Sequence, residues 1–158
     1  MSKEAKARIL VFLQFFLLAA LLLASHFSQN TTYFPATSIL MLFGISVLFI
    51  AFINLRSSLR ISPIPKENAA FISKGIYKYV RHPMYLGLLS IGMALAANAN
   101  NGLGWILFVL IMIVLNVKAN FEDALLREMH PESVHYQLHT SKIIPCLGGS
   151  CRDNCTLQ

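Results

Sequence analysis

Two charged dipeptides in an otherwise apolar chain are the residues best suited to chemistry: Arg81–His82, in "KYVRHPMYLG", and Glu122–Asp123, in "KANFEDALLREM". Pro83 suits the first turn of a helix, where its missing N–H is not needed. The basic pair therefore sits at a helix N-terminus, where free backbone N–H groups and the positive end of the macrodipole favour an anion. The acidic pair opens an amphipathic pattern: Phe121, Leu125 and Met129 form an apolar stripe, with Glu122, Asp123, Arg127 and Glu128 off it. If the two pairs face each other, they form a pocket that receives an anion at one end and a cation at the other. Gly87, one turn after Pro83, leaves a bare patch for a flat ligand or a neighbouring helix. Taken alone, an interfacial Arg–His pair is an ordinary snorkelling cation, and an acidic pair is an ordinary solvated helix face.

The elements that must position these groups are membrane helices. The 158 residues are 56% hydrophobic and 13% charged, about half the charge of a typical soluble domain. Apolar runs predict spans at about 9–27, 36–55, 83–100 and 103–119, the first interrupted only by Gln14. The basic leader before the first run resembles that of a signal peptide. The apolar core is too long for one and "ASHFS" is a poor cleavage site, so a retained helix is expected. The net charge of +6 reads as membrane topology rather than nucleic-acid binding, because no basic groove with interleaved aromatics is present.

Lys and Arg alternate between the connections. Lys3, Lys6 and Arg8 precede the first span, and "SHFSQNTTYFP" has none. Arg56, Arg60, Lys66, Lys74, Lys78 and Arg81 crowd the next connection, "NANNGLG" has none, and Lys118, Arg127, Lys142 and Arg152 follow the last span. The positive-inside rule places both termini and segment 56–82 in the cytoplasm. Within that segment, "ISPIPKEN" is expected to be extended around Pro63 and Pro65. Gly75 is a break, and Tyr77 and Tyr79 show strand-like alternation. Asn30 heads a formal glycosylation triplet of a kind common by chance. His130, His135 and His139 are read as surface residues, since no compact four-ligand set forms, and no metal is expected. Cys146, Cys151 and Cys155 are odd in number on the predicted cytoplasmic side, so free thiols are expected. The terminal "CTLQ" formally fits a prenylation box, but Cys155 is expected to be unmodified.

"GIYKYVRHPMYLG" is similar to the signature of the isoprenylcysteine carboxyl methyltransferase and phospholipid methyltransferase superfamily, approximately G-x-Y-x-x-x-R-H-P-x-Y-x-G. Gly75, Tyr77, Arg81, His82, Pro83, Tyr85 and Gly87 match it. A second block of that family, an acidic pair followed some twenty residues later by Ile-Pro, resembles Glu122–Asp123 with Ile144–Pro145. The resemblance covers roughly Asn54 to Pro145. Three departures stand out: Asp123 replaces the usual second Glu, Lys118 stands near the place of an Arg, and a Y-x-x-Y falls on Val134 and Gln137, with Tyr136 nearby.

The resemblance implies an all-α, polytopic membrane protein with four transmembrane helices and a cytoplasmic amphipathic C-terminal helix. Residues 1–158 would form a single domain, with cofactor-site elements at 56–82 and 118–145 and a tail at 146–158. It implies S-adenosyl-L-methionine held by Tyr77, Arg81, His82, Tyr85, Leu86, Gly87, Glu122 and Asp123. Arg81 and Glu122 would serve catalysis: Arg81 aligning a carboxylate nucleophile, Glu122 or a histidine helping an amine arrive deprotonated. The implied partners are the bilayer and a lipophilic methyl acceptor, either a prenylated-cysteine carboxylate or an aminophospholipid amine, in what the compact size suggests is a prokaryotic plasma membrane. Two other readings share the fold. An NADPH-dependent membrane reductase resembles longer chains with a different acidic motif, and a non-catalytic adaptor would have no need of the intact Arg81, His82, Tyr85 and Glu122.

Overall fold

A computed structural model describes residues 2–28, 35–55, 75–129 and 133–144. Among the described residues there are five α-helices: α1 (Lys3–His26), α2 (Pro35–Leu55), α3 (Pro83–Ala99), α4 (Gly102–Met129) and α5 (Ser133–His139), with a 3-10 turn at Gly75–Lys78. Asn30, segment 56–74 with its Pro63–Pro65 stretch, His130, Pro131, Pro145 and the three cysteines lie outside the described residues.

Each helix end has a local cause. Ser2 caps α1 by accepting the Ala5 N–H at 3.2 Å. Asn100 closes α3 in the left-handed region (φ 47°, ψ 41°), which asparagine tolerates better than other residues with a Cβ. Asn101 opens α4 by accepting the Gly104 N–H at 2.7 Å. Together the two asparagines reverse the chain and make α3 and α4 an antiparallel hairpin. Ser28, just past α1, donates to the Ala99 carbonyl at 2.6 Å, while Lys3 at the start of α1 pairs with Glu128 near the end of α4. The first helix thus runs the full length of the hairpin, antiparallel to α4.

The core is narrow. Leu10, Leu17 and Leu21 of α1 meet Tyr85, Leu95 and Ala96 of α3 and Phe108, Ile111, Val114, Leu115 and Ala119 of α4. On the outside, Phe12, Phe16, Ile39, Phe49 and Ile106 are exposed, an apolar surface suited to lipid. Helices α1, α2 (through Asn54) and α4 are long and apolar enough to cross a membrane. With 17 residues, α3 spans about 25 Å at 1.5 Å per residue, short of a hydrocarbon core of about 30 Å. It is packed between α2 on one side and α1 and α4 on the other.

One local expectation comes out differently. Tyr77 and Tyr79 do not alternate as a strand: Gly75 takes φ +64° beside Asn54, and the next residues wind so that the Tyr79 and Val80 N–H groups both donate to the Ile76 carbonyl. The amphipathic stretch after Val117 continues the last apolar run as a single helix, as its pattern suggests, with α4 unbroken to Met129.

A candidate active site at the open end of the hairpin

The predicted basic and acidic pairs do meet. Arg81 Nη1 donates to Asp123 Oδ2 at 2.7 Å. His82 Nε2 lies 2.9 Å from Asp123 Oδ1, and its Nδ1 lies 3.5 Å from Glu122 Oε2. One imidazole therefore touches both carboxylates. Tyr85 donates its hydroxyl to Glu122 Oε2 at 2.6 Å, and its ring stacks on that of His82 with centroids 5.1 Å apart. The Arg81 and Asp123 side chains are only 16% and 8% exposed, so this pair is largely dry and geometry governs its worth.

The backbone supplies less anion-binding capacity than a bare helix start would. Ser141 forms a parallel bridge with Val80. The Arg81 N–H donates to the Ser141 carbonyl at 2.8 Å and the His82 N–H to that of Lys142 at 3.0 Å. The Tyr85 and Leu86 N–H groups both turn to the His82 carbonyl. Recognition at this end therefore falls to side chains. Among the described residues, Arg81 Nε is buried without a hydrogen-bond partner, which leaves a charged donor for a ligand.

A cavity of about 410 Å³ opens beside the ion pairs. Arg81, Arg127 and Lys142 line it with positive charge, Asp123 with negative charge, Asn120 and Gln137 with amides, and Val134 and Leu138 with apolar surface. That volume suits a small-molecule site, and the mixture suits a ligand bearing a carboxylate, a cation and a flat apolar part.

Several residues that buttress the site were not named as site residues from sequence. Gln137, at the second position of the Y-x-x-Y register, donates its amide to the Asp123 carbonyl at 3.1 Å. Tyr136 donates its hydroxyl to the Tyr77 carbonyl. Lys142 donates to the Asn120 side chain at 2.6 Å. Lys118 lies in the core with its Nζ 5.1 Å from the centroid of the Tyr85 ring, and donates to Gln14 Oε1 at 2.8 Å. The available signals were the lone Gln14 in an apolar run and the off-register Tyr136. Burial pushes the phenols of Tyr77 and Tyr136 up to about 12, helped at Tyr77 by neighbouring Tyr136 and Glu122 and opposed at Tyr136 by Arg81. Both therefore stay neutral donors near pH 7. Burial pulls the Lys142 ammonium below its ordinary value, against the pull of Asp123.

Gly87 is placed elsewhere. It faces α2, where an added Cβ would lie 2.7 Å from Leu48 Cγ and 2.8 Å from the Gly44 carbonyl oxygen. Leu86 is half-buried, and its carbonyl accepts from Ser90 at 2.9 Å.

The profile of the isoprenylcysteine carboxyl methyltransferase (ICMT) family matches residues 37–128, more than half of the chain and nearly all of the hairpin that carries these pairs. The chain belongs to the isoprenylcysteine carboxyl methyltransferase family. No curated protein matches it in a full-sequence comparison. This family is one of methyltransferases, which supports methyl transfer as the activity and agrees with a multi-pass membrane protein built on apolar helices. The family's matched segment includes α3 and most of α2 and α4; α1, Tyr136, Gln137 and Lys142 lie outside it.

Proposed function

We propose that this chain transfers a methyl group from S-adenosyl-L-methionine to a lipophilic acceptor at the cytoplasmic face of the membrane. The acceptor is the carboxylate of a prenylated cysteine or similar amphiphile, or the amine of an aminophospholipid. The observation that carries the reading is the junction of Arg81, His82 and Tyr85 with Glu122 and Asp123 in a chain of a methyltransferase family. In this account α3, with flanking residues up to position 100, is a fourth span, residues 1–158 form one domain, and the open end of the hairpin and both termini are cytoplasmic. The Lys and Arg residues at that end support this orientation.

The residues present fit the methyl donor. The unpartnered Arg81 Nε, with Arg127 and Lys142 across the cavity, suits a carboxylate. Asp123, with Glu122 beside it, suits an ammonium and sugar or base N–H and O–H groups, and Val134 and Leu138 offer apolar surface to the flat part. When bound, the donor supplies an activated methyl on a sulfonium, ready for direct displacement by an oxygen or nitrogen nucleophile. The protein's contribution is then alignment and exclusion of water. Arg81, locked to Asp123 through Nη1, holds a fixed orientation. A carboxylate acceptor needs only an aligned cation there. An amine acceptor must lose a proton, and Glu122, linked to His82 and Tyr85, is the base within the site.

The test is transfer of a labelled methyl group by protein reconstituted into vesicles, offered a short prenylated cysteine in one arm and phosphatidylethanolamine vesicles in another. Label extracted with either lipid supports the reading and selects the acceptor. Transfer in neither arm, by protein that binds the donor, removes both acceptor classes.

A further inference from the structure

Lys118 precedes Glu122 by four residues on α4, the spacing at which a helix pairs opposite charges. Its ammonium still lies close enough to attract that carboxylate, but its hydrogen bond goes elsewhere. It donates to Gln14 Oε1 at 2.8 Å and lies 5.1 Å from the centroid of the Tyr85 ring. Both side chains are buried, with Gln14 5% and Lys118 8% exposed. A buried ammonium near lipid must find a partner, and here the partner is a neutral amide on α1. Glu122 instead receives the Tyr85 hydroxyl at 2.6 Å, with His82 Nδ1 at 3.5 Å. Gln14 lies outside the segment that defines the family, in a helix otherwise apolar from Ile9 to Ala24.

We propose that Gln14 is a positioning residue of the reaction: its amide oxygen draws Lys118 away from Glu122 and over Tyr85, leaving the Glu122 carboxylate for Tyr85, His82 and the ligand. The proposal rests on the methyl-transfer reading above and extends its site to the first helix. Without the amide, the shortest route by which Lys118 regains a partner is the carboxylate one turn away. Glu122 would then be neutralised from below and lost to the ligand. Lys118 acts on the ligand only through the groups it is held beside, and Gln14 only through Lys118.

The experiment measures the affinity of the full chain in detergent for S-adenosylhomocysteine by titration calorimetry, with thermal midpoints recorded for every variant. Gln14→Leu, a substitution that lipid-facing and buried helix positions accept, is expected to weaken binding at least fivefold. Gln14→Glu keeps an acceptor of the same reach and is expected to stay within about twofold of wild type. Adding Lys118→Met to Gln14→Leu removes the misdirected cation and is expected to recover binding to within about threefold. A purely structural Gln14 would shift the midpoint without this pattern of rescue. Wild-type binding with Gln14→Leu indifferent, with Gln14→Glu as weak as Gln14→Leu, or with no recovery in the double variant overturns the proposal alone. Absence of binding to folded wild type overturns the cofactor reading and this proposal with it.

Discussion

Replacing Gly87 by alanine adds one methyl group at a close contact between α2 and α3. The new Cβ would stand 2.7 Å from Leu48 Cγ and 2.8 Å from the Gly44 carbonyl oxygen, where ordinary contact begins at 3.4 Å. Leu48 can rotate away, but the carbonyl belongs to a helix, so the two helices must part by about 0.6 Å along that line. Overpacking of this kind costs about 1–3 kcal/mol, and small-residue contacts are what let membrane helices approach so closely. At about 2–4 °C per kcal/mol for a chain of this size, the thermal midpoint should fall by roughly 2–12 °C. Gly44→Ala supplies the internal control. Its Cβ would meet the Gly87 carbonyl oxygen at 2.8 Å and Ile91 Cγ1 at 2.8 Å, so it should destabilise to a similar extent although it lies on the facing helix. Because both substitutions press on one seam, the double variant should lose less than the sum. The assay is thermal unfolding of detergent-purified protein beside titration with S-adenosylhomocysteine. If Gly87→Ala leaves the midpoint unmoved and weakens binding, while Gly44→Ala does neither, Gly87 provides clearance for a ligand and the packing account is wrong.

Other outcomes follow from the site. Asp123→Asn keeps the shape but leaves Arg81 and His82 without their shared carboxylate. A loss of about 2–4 kcal/mol is expected, somewhat below the cost of breaking a fully dry pair because Arg81 retains some exposure, and a midpoint within 1 °C of wild type would refute it. Tyr136→Phe removes the hydrogen bond to the Tyr77 carbonyl and should cost about 1 kcal/mol, measurable as a small drop in midpoint. Tyr77 links structure to pH. Its phenol rises from 10.0 to about 12 on folding, so the folded state keeps its proton longer. The associated stability is intact below pH 10 and is lost as pH climbs toward 12. Midpoints recorded between pH 8 and pH 11.5 should therefore fall less steeply for Tyr77→Phe than for wild type, and parallel curves would contradict the assignment.

Much of the site was legible because its chemistry is expensive in an apolar chain. Charged groups at Arg81, His82, Glu122 and Asp123 need each other or water once their helices are membrane-embedded, and the two-asparagine turn at Asn100–Asn101 leaves α3 and α4 no choice but to lie side by side. Three features were hidden for physical reasons. Helix α2 is apolar all round, so no periodicity says which face packs, and the role of Gly87 against Gly44 depends on that choice. The use of the Arg81 and His82 N–H groups by Ser141 and Lys142 is a contact between segments some sixty residues apart with no hydrophobic pattern to announce it. The partnership of Gln14 with Lys118 needed the knowledge that α1 packs on α4. A lone glutamine in an apolar run marked only that something must satisfy its amide.

The most direct measurement is titration of the detergent-purified chain with S-adenosylhomocysteine, repeated with Arg81→Ala and with NADPH. The account predicts micromolar binding to wild type, a loss of at least about tenfold (1.4 kcal/mol) in Arg81→Ala with its fold retained, and no heat from NADPH. No binding to well-folded wild type, or binding of NADPH in its place, would contradict it.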